Sequence, residues 1–129
     1  ESAGVVAVGA RMPLIAFNIN LDTSNLEIAS KIAKIIRRSS GGFDCVKALG
    51  VMLEERNIAQ VSINMTNFNK TPLYRALETV RWEAKRYGVN VVGTEIIGLT
   101  PVQALVDCAE YYLQMENFDS KKQVLENNL

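Results

Sequence analysis

Three residues, Glu55, Arg56 and Asn57, separate two largely apolar runs in the middle of the chain. These runs are CVKALGVMLE over residues 45–54 and IAQVSINMT over residues 58–66. So short a connection leaves two extended segments one way to pair, as an antiparallel hairpin. Everything on either side must fold around it. Upstream, residues 14–21 (LIAFNINL) alternate, with Phe17, Ile19 and Leu21 on one side and Asn18 and Asn20 on the other. A helix is expected next, because Leu26, Ala29, Ile32, Ala33 and Ile36 recur at helical spacing behind a Ser24/Glu27 capping box. Lys34, Arg37 and Arg38 crowd its last turns, a solvated basic end favourable to the helix dipole, and Gly41 and Gly42 stop it.

Downstream the pattern repeats. Thr71 is expected to cap a second helix with Pro72 at its first position, and Leu73, Ala76, Leu77, Val80, Ala84 and Tyr87 form its apolar face up to Gly88. Residues 90–97 (NVVGTEII) are a fourth strand. Thr100, Pro101 and Gln103 then open a third helix presenting Val102, Leu105, Val106, Ala109 and Leu113, and a polar tail with a last turn at 119–126 follows. The order is β-α-β-β-α-β plus a C-terminal helix. With right-handed crossovers on both sides of the hairpin, this is an α+β ferredoxin-like split βαβ sandwich. Its four-stranded antiparallel sheet carries the helices on one face. Residues 1–11 (ESAGVVAVGAR) are small and read as a linker, leaving residues 12–129 as the domain. A chain opening on Glu1 is expected to be a piece of something longer.

That topology puts strands one and three side by side at the sheet's centre. Ile15, Phe17, Ile19 and Leu21 must face the helices together with Val61, Ile63 and Met65. The other face then carries Asn18 and Asn20 beside Gln60, Ser62, Asn64 and Thr66, a centre of amides and hydroxyls without a charge. Amides both donate and accept, so this centre suits a flat heteroaromatic ligand or a glutamate-like tail, although a face merely solvated or packed on another domain would read the same. Strand four is partly apolar on both sides, which favours a cover over the bare face. Gly50 and Gly93 inside strands suggest close approach by a ligand or another backbone.

Lesser candidates are Glu95, a carboxylate in an apolar strand read as a rim residue, and Lys47, which could hold a carboxylate. Trp82 and Tyr74 fit the edge of the core, and Cys108 fits helix packing. Cys45 has no pattern of charge around it that would activate a thiolate.

Composition narrows the chemistry. Fourteen Lys and Arg balance fourteen Asp and Glu, which argues against a phosphate backbone or an acidic membrane as partner. Strand three has no aromatic, so base stacking of the RNA-recognition type is rejected. Two isolated cysteines fit a reducing, cytoplasmic setting, and no metal site is expected. There is no histidine, so the usual proton carrier near neutral pH is missing. A stand-alone ACT-like module that binds an amino acid and dimerises edge to edge is an alternative reading.

Five segments, GARMPLIAFNINLDT, RRSSGGFDCVKALGVMLEER, AQVSINMTNFNKTPLYRALE, VVGTEIIGLTPVQALVDCAEYY and ENFDSKKQVLE, together resemble the C-terminal subdomain of the glutamate formiminotransferase family. The likeness runs from Gly4 to the end, with the segments in order. It implies transfer of a formimino group from N-formimino-L-glutamate to tetrahydrofolate as co-substrate, in histidine degradation. It also implies two ferredoxin-like halves whose sheets face each other across a folate tunnel, in an enzyme expected to be a homo-oligomer. The catalytic histidine belongs to the N-terminal half, so no catalytic residue carries over to this chain. On strand phase, Asn18, Asn20, Ser62, Asn64 and Thr66, then Glu95 and Lys47, are expected to line the tunnel wall.

Overall fold

A central strand hydrogen-bonded on both sides organises the molecule. The computed structural model describes residues 12–129, so the expected linker at 1–11 lies outside the described residues. Strand β1 (Ile15–Leu21) is followed by α1 (Leu26–Ile36), β2 (Val46–Leu53), β3 (Ile58–Met65), α2 (Leu73–Lys85), β4 (Val91–Ile97), α3 (Val102–Tyr112) and a short α4 (Ser120–Gln123). The described strands form one antiparallel sheet in the order β2-β3-β1-β4. This is the ferredoxin-like order with both crossovers in place. The hairpin turns through Asn57 at φ 52°, a left-handed position that asparagine tolerates well.

Period-two burial separates the two sides of the sheet. Ile15, Ile19 and Leu21 of β1 and Ala59, Val61, Ile63 and Met65 of β3 are 0% exposed, with Phe17 at 5%. They meet Ala29, Ile32, Ala33 and Ile36 of α1 and Leu73, Ala76, Val80 and Ala84 of α2, all buried. Each large aliphatic chain removed from water contributes roughly 1.5–3 kcal/mol, so this one layer dominates the stability. Gly50 belongs to it. A Cβ there would lie 2.6 Å from Ser30 N and 2.9 Å from Ser30 Cα, so its bare backbone lets α1 close onto β2. Gly93 meets nothing within 4 Å of a built Cβ. Of these two strand glycines Gly50 alone is a close approach, and it is to a helix.

All three main helices begin one residue later than expected. Asn25, not Ser24, caps α1, and its side chain accepts from Glu27 N at 3.0 Å. Thr23 Oγ1 accepts from Asn25 N, so the turn before the helix already uses a side-chain oxygen one residue upstream of Ser24. Pro72 and Pro101 occupy the cap positions themselves, with extended ψ of 158° and 142° and no side-chain cap. The threonines before them do other work or none. Thr71 Oγ1 donates to Asp44 O at 2.7 Å, tying the β3–α2 loop to the start of β2. Thr100 Oγ1 is buried without a partner among the described residues. Gln103 Nε2 reaches Asp107 Oδ1 and Ser120 Oγ instead of closing a capping box.

Helix α3 is rotated from its expected face. Val102, Leu105, Ala109 and Leu113 are exposed, while Ala104 is buried and Cys108 half-buried. The cause is its docking onto α2. Tyr111 stacks on Tyr74 with centroids 4.0 Å apart, and the Tyr112 hydroxyl donates to Glu78 Oε2 at 2.6 Å. These contacts turn the Ala104–Cys108 side inward. Burial pushes the Cys108 thiol up, as expected of a packing residue rather than a reactive one. Tyr74 is half-buried beside Phe17 and Leu73, but Trp82 is 70% exposed and away from the core's edge. At the far end of β1, Asp22 accepts from Asn90 N at 2.7 Å and Asn90 Nδ2 at 3.1 Å, which holds its carboxyl below the usual value.

Two outcomes are expected. Gly50→Ala forces backbone against backbone and lowers stability by about 1–3 kcal/mol in urea unfolding, whereas Gly93→Ala stays within about 0.5 kcal/mol. Burial and then the Glu78 hydrogen bond raise the Tyr112 phenol above its ordinary pKa of 10. The protonated phenol is therefore favoured by folding. Its contribution is complete below pH 10 and is lost as pH rises above 10 towards the folded-state value. Melts between pH 9 and 11.5, on the order of a unit either side of the free phenol, should show this decline reduced in Tyr112→Phe.

Candidate ligand-binding face

Strand register arranges the other side of the sheet as three cross-strand rows. The first runs Lys47, Asn64, Ala16, Ile97; the second Leu49, Ser62, Asn18, Glu95; the third Val51, Gln60, Asn20, Gly93. Partners directly opposite on neighbouring strands lie roughly 4.5–5.5 Å apart, close enough to act as one surface. The two central strands supply only amides, one hydroxyl and Ala16. Charge appears at the margins alone, Lys47 on β2 and Glu95 on β4, both exposed. Apolar side chains flank the amides, with Leu49 60% and Ile97 53% exposed. The helices α1, α2 and α3 all lie against the opposite face.

The expected residues divide into three groups. Asn18, Ser62 and Asn64 share this surface and are at least partly accessible. Asn20 is placed with them but is only 4% exposed, as is Gln60, and Gln60 Nε2 donates to Asn20 Oδ1 at 2.8 Å. This bond gives the two buried amides each other as partners, which a buried polar group needs. Thr66 lies beyond the end of β3, where its N–H and hydroxyl both bond Cys45 O, so it closes the strand end rather than extending a row. Lys47 and Glu95 stand at opposite edges, and Glu95 is an exposed rim residue as anticipated.

Gln60 was not among the expected wall residues although its strand phase placed it there. The apolar margin on β2, Leu49 and Val51, extends the one that strand four's outer side already suggested at Ile97. Its signal was the same phase argument, applied to β2 as well as to the centre. Gly93 leaves open space at the end of the third row, beside Asn20. The surface can therefore accept something flat over its polar centre and grip it with apolar edges. It offers donors and acceptors for orientation and no group suited to proton transfer near neutral pH.

A formiminotransferase domain model matches residues 16–127, all of the sheet but Ile15 and all the main helices. The chain belongs to the formiminotransferase domain family. It is 67% identical over 128 residues to a glutamate formimidoyltransferase of Streptococcus pyogenes serotype M1, covering 99% of this chain and 43% of that protein. It is 56% identical over 117 residues to a glutamate formimidoyltransferase of Thermoplasma acidophilum, covering 91% and 39%. A formimidoyltransferase-cyclodeaminase of Gallus gallus is 42% identical over 119 residues, with 88% and 22% covered. The chain thus spans less than half the length of these formiminotransferase relatives.

Substitution should separate the two asparagines. Asn20→Ala strands the buried Gln60 amide and costs about 1–3 kcal/mol in urea unfolding, while Asn18→Ala stays within about 0.5 kcal/mol.

Proposed function

We propose that this chain is the C-terminal half of a glutamate formimidoyltransferase, moving a formimino group from N-formimino-L-glutamate to tetrahydrofolate. The observation that carries the reading is the match, at 67% identity over 99% of this chain, to 43% of a protein of that name. In this reading residues 12–129 are one subdomain, and an N-terminal subdomain lays a second sheet over the amide rows. The space between the two sheets is the folate tunnel. The intact enzyme is a homo-oligomer of the cytoplasm acting in histidine degradation.

The reaction explains the division of labour. A folate nitrogen attacks the formimino carbon and forms the new C–N bond. The bond from that carbon to the glutamate nitrogen then breaks. The attacking nitrogen gives up a proton and the leaving nitrogen gains one, so 5-formiminotetrahydrofolate and glutamate result. Both transfers need a group that titrates near neutrality. Neutral amides and hydroxyls do not, and these 129 residues contain no histidine. The acid–base group therefore comes from the N-terminal half.

The amide rows have a different task. Asn18, Ser62 and Asn64 hydrogen-bond the edge of the pterin or the substrate's carboxylates, and Leu49 and Ile97 cover its flat faces. A fixed approach of nitrogen to carbon can supply a large part of a rate enhancement without any proton moving. The residues fit a folate in the sense that counts: an uncharged, two-way hydrogen-bonding centre with apolar margins. Asn20 and Gln60, bonded to each other, set the floor on which the accessible amides stand.

The isolated chain is expected to show no formimino transfer, and an N-terminal half added in trans should restore it. Turnover by these 129 residues alone would overturn the reading. In the two-subdomain protein, Asn18→Ala should lower kcat/KM by about three- to tenfold, the size of one hydrogen bond, with unfolding unchanged.

A further inference from the structure

Beside the amide rows, around the outer edge of β2, lies a groove of about 320 Å³ lined by Arg37, Arg38, Ser39, Val46, Lys47 and Ala48. It runs between that edge and the short 3-10 turn (Arg38–Ser40) that follows α1. Three cations on one short edge are notable in a chain whose net charge is zero. Arg38 is paired with Asp44. Among the described residues, Arg37 and Lys47 have no carboxylate partner, and Arg37 Nε is held at 3.0 Å by Ser40 Oγ. That bond fixes the guanidinium while leaving its other N–H groups to donate.

The backbone adds donors. Thr66 N bonds Cys45 O, so Cys45, Lys47 and Leu49 direct their backbone groups towards β3. By the alternation of an antiparallel ladder, the N–H groups of Val46 and Ala48 then point outward, into this groove. No described strand lies beyond β2 to use them. Fixed backbone N–H groups beside a guanidinium and an ammonium are the chemistry that recognises a carboxylate or phosphate.

Position links the groove to the ligand face. Lys47 stands in the first row, directly across from Asn64, and also in the groove wall. From β1, where Asn18 lies, to β2 is two strand spacings, roughly 10 Å. We propose that this groove is an oxyanion subsite receiving the carboxylate tail of a ligand whose flat end lies on the amide rows. The tail then crosses β3 and leaves the sheet over β2, not over β4, where Glu95 would repel it. This assignment rests on the folate reading above and adds to it a direction and a recognition chemistry for the tail.

The test is calorimetric, in the two-subdomain protein, with Arg37→Gln/Lys47→Gln against the unaltered form. Both side chains are outside the core, and circular dichroism confirms that the variant folds. Three probes are titrated: folic acid, pteroic acid (the same ring system without the glutamate tail) and inorganic phosphate. The proposal expects the variant to lose about tenfold or more in Kd for folic acid, one or two charge-assisted contacts, and little for pteroic acid. It expects phosphate to bind weakly and only to the unaltered protein. Equal losses for both pteridines, or none for folic acid, overturn it. If neither pteridine binds the unaltered protein, the folate reading fails on its own and the tail assignment falls with it. A phosphate signal lost in the variant would in that case leave an oxyanion groove without the proposed ligand.

Discussion

The alternation of β1 decides almost everything else in this molecule. Its odd-numbered residues are sealed against the helices and its even-numbered ones face away, so one strand sets both the core and the surface opposite it. Slipping the register by one residue would drive Asn18 and Asn20 into the helix layer and Phe17 and Ile19 into the open. Because β1 pairs with β3 on one side and β4 on the other, its phase passes to both neighbours through hydrogen bonds. The amide face is thus a by-product of making a core. No separate device builds it.

That dependence explains what could be read from the sequence. Strand order, the hairpin and the core faces of β1, β3, α1 and α2 were legible because long apolar patterns of period two or 3.6 carry them. Helix starts were legible only to within one residue. At Pro72 and Pro101 the ring's fixed φ is compatible with both the cap and the first turn, and ψ chose the cap. At Asn25 two adjacent polar residues competed for one role, and the bond from Asn25 N to Thr23 decided between them. The rotation of α3 had no local signal at all. Its orientation follows from the Tyr74–Tyr111 stack, a contact between helices that no periodicity within either one encodes.

The candidate site divides the same way. Strand phase put Asn18, Ser62 and Asn64 on the face away from the helices, where they lie, but phase cannot distinguish an accessible amide from one that has found a partner. Asn20 and Gln60 sit opposite each other in register and their side chains are long enough to meet, so they become framework. Thr66 has the right phase and lies one residue too far along, where the ladder has ended and its hydroxyl turns back to Cys45. Membership of the formiminotransferase domain family then gives these geometric roles a chemical context that no single residue here could supply.

The outer side of α3 has a colloidal consequence. Leu99, Val102 and Leu113 are 93%, 69% and 68% exposed, close together in sequence around one helix. The chain also carries no net charge and has a pI near 6.6, so mutual repulsion between molecules is weak at neutral pH. A sticky stripe on an uncharged particle sets the conditions under which this polypeptide can be handled by itself. Buffers well away from its pI, or a few acidic substitutions along that stripe, would keep it dispersed.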